Sequence, residues 1–426
     1  MSGNVFHPEW SYDSNIYEVN VRQYTAEGTF KAFADHLPRL RQMGVEILWF
    51  MPITPIGFKG RKGSLGSYYA VSHYTDVNPE FGSLQDFKDI VSGAHDLGFK
   101  VIVDWIANHT SNDNSWIEQH PDFYLYDDNK AIINPHGWSD VSQLDYTNNN
   151  MRHAMIDAMK YWITGCDIDG FRCDMAHLVP LDFWASAKLA LKDVKPDLFW
   201  LAECEAIEYH TVFDATYTWK WMHTSEDNLK ANLNVDDYLS VLNDYNNEFM
   251  PEALRVYFTS NHDENSWNGT EYEKYGEAAE MFAVFSCTWN GLAMIYSGQE
   301  MPNYKRLKFF EKDSIEWSGI FSLHDFYKTL LTLRKNNKAL RAGDPAVITR
   351  KVPTNYDEKI FAFQRKIEDQ SIVVILNFSE FITDVRLIES LNKHRNVFTG
   401  DIIDLNEESI IQTGRFGYHV FEKVND

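Results

Sequence analysis

The chain has 426 residues, with 39 basic and 62 acidic side chains and a net charge of −23 at neutral pH. That length exceeds one ordinary hydrophobic core and implies a large domain with a smaller one. The acidic balance argues against nucleic acid and anionic membrane as partners, because phosphate binding needs a basic surface. No apolar run approaches the roughly 18 residues a bilayer-spanning helix requires. The nearest, Ala283 to Tyr296, is interrupted by Ser286, Asn290 and Gly291. Met1 to Trp10 has neither a basic segment nor an apolar one, so the sequence as it stands reads as cytoplasmic. Removal of an export signal would make it periplasmic or secreted. Cysteines 166, 173, 204 and 287 form no CxxC and no metal-ligand spacing, which reads as free thiols in a reducing compartment.

In chain order, residues 15–20 alternate like a strand, and Phe30, Phe33, Leu37, Leu40 and Met43 recur at helical spacing. Val45 to Met51 is a continuous apolar run, as expected of a buried parallel strand. A Gly- and Lys-rich loop follows, Gly57 to Ser67. Ser83 and Asp86 have the spacing of a capping box, opening a helix that Gly98 closes. Val101 to Val103 is a third strand, and strand alternating with helix implies βαβ units. The rhythm breaks over 110–146, a polar and aromatic stretch long enough to expect a function. It resumes with a helix over 150–163, a strand leading into Gly170-Phe171-Arg172, a helix over 181–191 and a strand over 198–203. Further strands are predicted at 212–215, 256–259 and 294–296. Eight strand positions fit a (β/α)8 barrel, and from about Pro345 short alternating strands predict an all-β sandwich. The expected organisation is a barrel in two parts, 1–109 and 147–344, with an inserted loop-rich domain at 110–146 and the β-sandwich at 345–426.

Four predicted strands end in polar clusters: Asp104-Trp-Ile-Ala-Asn108-His109, Arg172-Cys-Asp174, Glu203-Cys-Glu205 and Asn261-His262-Asp263. In a parallel barrel these ends converge on the face where active sites sit. Three carboxylates, one Arg and two His, without a Ser–His or Cys–His pair, suit glycosidic bond cleavage. Arg172 is expected to hold Asp174 ionised, while like charge and burial raise the pKa of a neighbour such as Glu203 and make it the proton donor.

The stretches DWIANH, GFRCDMAH, LAECE and SNHD, in this order, resemble the four signature regions of the α-amylase superfamily of retaining glycoside hydrolases. The resemblance runs from end to end and implies the barrel, the short insert after strand three and the C-terminal β-sandwich. It implies Asp174 as nucleophile, Glu203 as general acid/base and Asp263 as stabiliser of the transition state. It further implies that Arg172 positions the nucleophile, that Asp104 supports the Arg, and that His109 and His262 bind sugar hydroxyls. Tyr69 matches the aromatic platform under the sugar, with Tyr68 as the competing choice. Asn108 and Asp140 match positions that bind a structural calcium in many relatives; no organic cofactor is implied. The family's Lys-His after the nucleophile is replaced here by His177-Leu178.

The implied activity is hydrolysis of α-1,4-glucosidic bonds in starch-like glucans or maltooligosaccharides through a covalent intermediate. Within the class the alternatives are a cyclomaltodextrinase- or neopullulanase-type hydrolase and an α-glucan transglycosylase. Outside it stands a non-catalytic sugar- or protein-binding barrel. Trp116, Tyr124, Tyr126 and Trp138 of the insert could stack on sugar or pack against the barrel. So short an insert is expected to form only one wall of the cleft, leaving one or both ends open and favouring internal cutting.

Overall fold

The computed structural model of the protein describes residues 7–424; residues 1–6, part of the stretch read for an export signal, and 425–426 lie outside the described residues. Strands β1 (Asn15–Val19), β2 (Ile47–Phe50) and β3 (Lys100–Trp105) open the barrel. A small hairpin, β4 (His109–Ser111) with β5 (Val141–Gln143), forms the base of the insert. Five more barrel strands follow: β6 (Gly170–Cys173), β7 (Phe199–Ala202), β8 (Ala215–Tyr217), β9 (Leu254–Tyr257) and β10 (Leu292–Tyr296). The parallel strands close in the order β1-β2-β3-β6-β7-β8-β9-β10, with β10 pairing back to β1.

The continuous apolar runs form these strands because both faces are covered: every residue of β1, β2, β6, β7 and β10 is buried. Helices Leu84–Asp96, Asn149–Cys166 and Leu181–Lys192 pack outside, the first opened by the expected Ser83–Asp86 capping box. The sixth strand begins at Ala215 and not at Val212. Val212 and Phe213 are buried in the turn ahead of it, so the apolar run there marks packing without pairing. The seventh lies two residues earlier than its apolar pattern suggested, at Leu254–Tyr257.

The C-terminal region is antiparallel. Strands β11 (Ile348–Val352), β12 (Ile360–Ile367), β13 (Gln370–Asn377), β14 (Thr383–Val385), β15 (Asn392–Asn396), β16 (Ile402–Leu405), β17 (Ile411–Thr413) and β18 (Tyr418–Lys423) follow in turn. They form a six-stranded sheet, β11-β12-β13-β18-β15-β16, and a two-stranded sheet, β14-β17. Alternation along β12 explains how the large sheet is covered twice. Ile360 and Ala362 face a core shared with Val385 and Ile411, whereas Phe361 and Phe363 face Trp289 on the barrel. Among the described residues no helix is long and apolar enough to cross a membrane.

Candidate active site

The floor of the site is built on Arg172. The β3–β6 register sets Asp104 beside Arg172, and the strand end carries Asp174 two residues on. Arg172 Nη1 donates to Asp104 Oδ1 and Oδ2 at 2.9 and 3.1 Å and to Asp174 Oδ1 at 3.1 Å. Its Nη2 lies 3.0 Å from Glu203 Oε2, though without the alignment of a hydrogen bond. Met175, with φ 39° in the left-handed region, turns its backbone N–H onto Glu203 Oε2 at 2.8 Å. A non-glycine residue held there stores strain of the kind found at working sites. One guanidinium thus touches three carboxylates while fully buried. Burial and then the Glu203 charge push Asp174 well above the usual carboxylate range, with Arg172 opposing them. On sequence grounds Arg172 is expected to hold Asp174 ionised; in the structure burial and the Glu203 charge work against that pull. Burial also pushes Asp104 up to about 6 against the pull of Arg172.

A second buried cation forms one wall. His262 Nδ1 donates to Glu18 Oε1 at 2.5 Å, and Nε2 lies 2.7 Å from the Tyr69 hydroxyl and 3.3 Å from Asp263 Oδ2. Burial alone would lower its pKa, but the charges of Asp263 and Glu18 outweigh burial and raise it to about 9. His262 is therefore an imidazolium with both nitrogens donating. The Tyr69 hydroxyl accepts from it and donates onward to Asp104 Oδ2 at 3.1 Å, linking wall to floor. His109 behaves oppositely. Burial lowers it to about 4, so it is neutral, and its Nδ1 accepts from the Asn108 amide at 3.2 Å.

Asp174, Glu203, Asp263, His109 and Tyr69 all line one cavity of about 470 Å³ at the barrel mouth, a size typical of small-molecule sites. Arg172, Asp104 and His262 support it from beneath. Tyr69, stacked on His262 with centroids 5.5 Å apart, faces the cavity, whereas Tyr68 is buried against Arg22 and Asn20. Of the four insert aromatics only Trp138 lines the cavity; Trp116 packs on Tyr74 and Phe123, Tyr124 bonds Thr110, and Tyr126 is half exposed. Glu205 turns away to Tyr245 and the Lys220 backbone. Sequence reasoning missed Glu18, Lys62, Trp267, Phe309 and Phe310. Glu18 alone left a signal, as a carboxylate inside a fully buried strand.

Asn108 and Asp140 do not make a cation cradle. The hairpin register pairs His109 with Gln143 and Ser111 with Val141, which sets Asp140 four positions along the ladder from Asn108. Four strand residues span about 13 Å, too far to share one ion. The oxygens are also taken. Gln143 Nε2 donates to Asn108 Oδ1 and Asn108 O at 2.9 and 3.0 Å, and Asp140 Oδ1 lies 2.7 Å from Lys62 Nζ. The amide must present its nitrogen, since its oxygen would meet only other oxygens. Among the described residues no group of three or more His, Cys, Asp or Glu is placed to hold a metal. Asn108 and Asp140 therefore do not fit together as donors to one calcium ion.

Comparison with known proteins agrees with this geometry. The family described as "Alpha amylase, catalytic domain" matches residues 8–140 and 123–320, more than half of the chain. The alpha-amylase MalA of Haloarcula japonica is 27% identical over 399 residues, which cover 89% of this chain and 57% of that protein. This chain thus spans little more than half of that relative's length. The crystal structure of an alpha-amylase from Lactobacillus plantarum superposes with a TM-score of 0.88 at 28% identity, covering 97% of this chain and 100% of the other. A noncanonic maltogenic alpha-amylase, AmyB from Thermotoga neapolitana, gives 0.89 at 28% identity, covering 98% and 100%. With four strand-end clusters gathered on one cavity and the family's catalytic domain matched across the barrel, the chain belongs to the α-amylase family of glycoside hydrolases.

Proposed function

We propose that this protein hydrolyses α-1,4-glucosidic bonds in starch-like glucans or maltooligosaccharides with retention of configuration. The observation that carries the reading is the shared guanidinium: Asp174 and Glu203 both lie within 3.1 Å of Arg172 at the floor of the cavity. Carboxyls held on one group are near neighbours, which favours a direct nucleophile over the wider spacing that admits a water between them.

Glu203 protonates the bridging oxygen as the glycosidic bond breaks, and the aglycone leaves as an alcohol. Asp174 Oδ attacks the anomeric carbon and forms a glycosyl ester. Glu203, now a carboxylate, takes a proton from water, whose oxygen displaces Asp174 and restores both groups. Arg172 orients Asp174 and neutralises it between steps. Asp263 faces the developing positive charge from the rim, His109 reaches sugar hydroxyls as a neutral ring, and His262 as a cation holds the Tyr69 platform from beneath. Tyr69 lies flat for stacking under the ring. Acid, nucleophile and stabilising charge are all side chains, so no step calls on a metal or organic cofactor.

Turnover of an aryl maltoside, followed by proton NMR of the first product, tests the reading. The α-anomer should appear first and mutarotate later; a β-anomer appearing first would overturn the retaining mechanism.

A further inference from the structure

The loop after β2, residues 57–67, forms a strap along one side of the site. Its first end docks on the insert. The backbone N–H groups of Phe58 and Lys59 donate to Asp113 Oδ2 at 2.7 and 3.0 Å, and Lys62 pairs with Asp140. Its other end docks on the loop after β10: Leu65 N donates to Phe310 O at 3.0 Å and Ser64 N to Glu311 Oε1 at 2.9 Å. Gly63, with φ 60°, lets the strap lie against that loop, for a Cβ there would come within 2.5 Å of the Phe310 Cβ. From beneath, buried Arg22 donates to the Gly66 and Leu65 carbonyls and is itself fixed by Glu80. Phe309 and Phe310 pack in turn on Trp267, which follows β9, with ring centroids 5.5 and 5.7 Å away.

The result is a continuous wall through the loops after β3, β2, β10 and β9. In the closed strand order this arc is centred on β1, and the strand opposite β1 is β7, which leads into Glu203. A proton donor stands beside the leaving oxygen, so the leaving part of the chain extends past Glu203 and the glycone extends the other way. The wall therefore meets the glycone.

Resting on the hydrolase reading above, we infer that the strap closes the glycone end of the cleft, so that the enzyme removes a short fragment of fixed length from non-reducing chain ends. The insert alone would leave that end open; the β2 loop completes it, which replaces the expectation of internal cutting.

The test uses the wild-type protein and two versions of one aryl maltopentaoside, one with a free terminal glucose and one capped there by a cyclic acetal. The free form should be cleaved and the capped form at least about 100-fold more slowly, the scale of rejection a rigid pocket imposes. Similar rates on both would overturn the closed end while leaving the hydrolase reading intact. Turnover of neither would overturn the hydrolase reading and the proposal with it. Replacing residues 60–64 by a two-glycine link should bring the capped form within about tenfold of the free one. If that variant melts cooperatively, cleaves the free form and still rejects the cap, the strap is not the barrier. Maltoheptaose labelled at its reducing end gives a readout independent of any variant: one unlabelled short product supports the proposal, and a spread of lengths overturns it.

Discussion

The floor around Arg172 and the wall around His262 hold the same kind of arrangement, a buried cation surrounded by oxygen acceptors, yet they differ in how their charge is maintained. Arg172 carries its charge at every accessible pH, and its partners Asp104, Asp174 and Glu203 sit on adjacent strands. His262 is charged only because Glu18 and Asp263 favour its proton. The floor therefore keeps its cation across pH, although its carboxylates can take up protons, while the wall can lose its cation within the range of an ordinary titration. Fixed charge is placed where bonds are made and broken, and conditional charge where the sugar and its platform are held.

The largest effects should come from breaking the floor. Asp174→Asn removes the nucleophile at constant shape, and kcat/KM should fall about 10⁴-fold or more with little change in Tm. Glu203→Gln should cost about 10²–10⁴-fold on maltooligosaccharides but far less on an aryl glycoside with a good leaving group, which needs little protonation. Equal losses on both substrates would remove Glu203 from the acid role.

Breaking the wall should be gentler and should show in the pH profile. His262 has its folded pKa raised from the ordinary 6.5 to about 9. The stability it contributes is fully present below about 6.5 and lost as pH rises through about 9. Activity should accordingly fall on the alkaline side near pH 9, and Glu18→Gln should move that limb toward neutrality while leaving the acid limb in place. An unmoved alkaline limb would mean that another group sets it. The smallest effect concerns the insert. With Asn108 held by Gln143 and Asp140 by Lys62, a chelator should change neither the melting temperature nor the rate. A drop on chelation, restored by calcium, would show that these oxygens do gather around an ion.

Much of this was legible in the chain. The apolar runs announced the barrel because parallel strands are covered on both faces, and four polar strand ends could meet only at one mouth. Hairpin register was not legible. Asn108 and Asp140 look like joint ligands until the pairing of His109 with Gln143 separates them. Glu18 passed as one polar position of an alternating strand, because the partner that makes it functional is 244 residues away. The strap resembled any glycine- and lysine-rich loop, since its function depends on Asp113, Asp140 and Phe310, none of them near it in sequence.

The pairing of β1 with β10 has a consequence for how the protein comes into being. Glu18 leaves the ribosome well before its partner, since His262 and the strand that seals β1 into the ring come more than half of this chain later. At ordinary synthesis rates roughly 10–50 s separate them. Through that interval the first strand has one neighbour only, and its buried carboxylate has no cation. Contacts so distant in sequence close late, because loop entropy opposes them until the intervening units have formed. The wall of the site is thus completed by the event that closes the barrel, and a nascent chain halted before β10 would carry every one of the catalytic residues but lack the closed ring that sets Glu18 against His262.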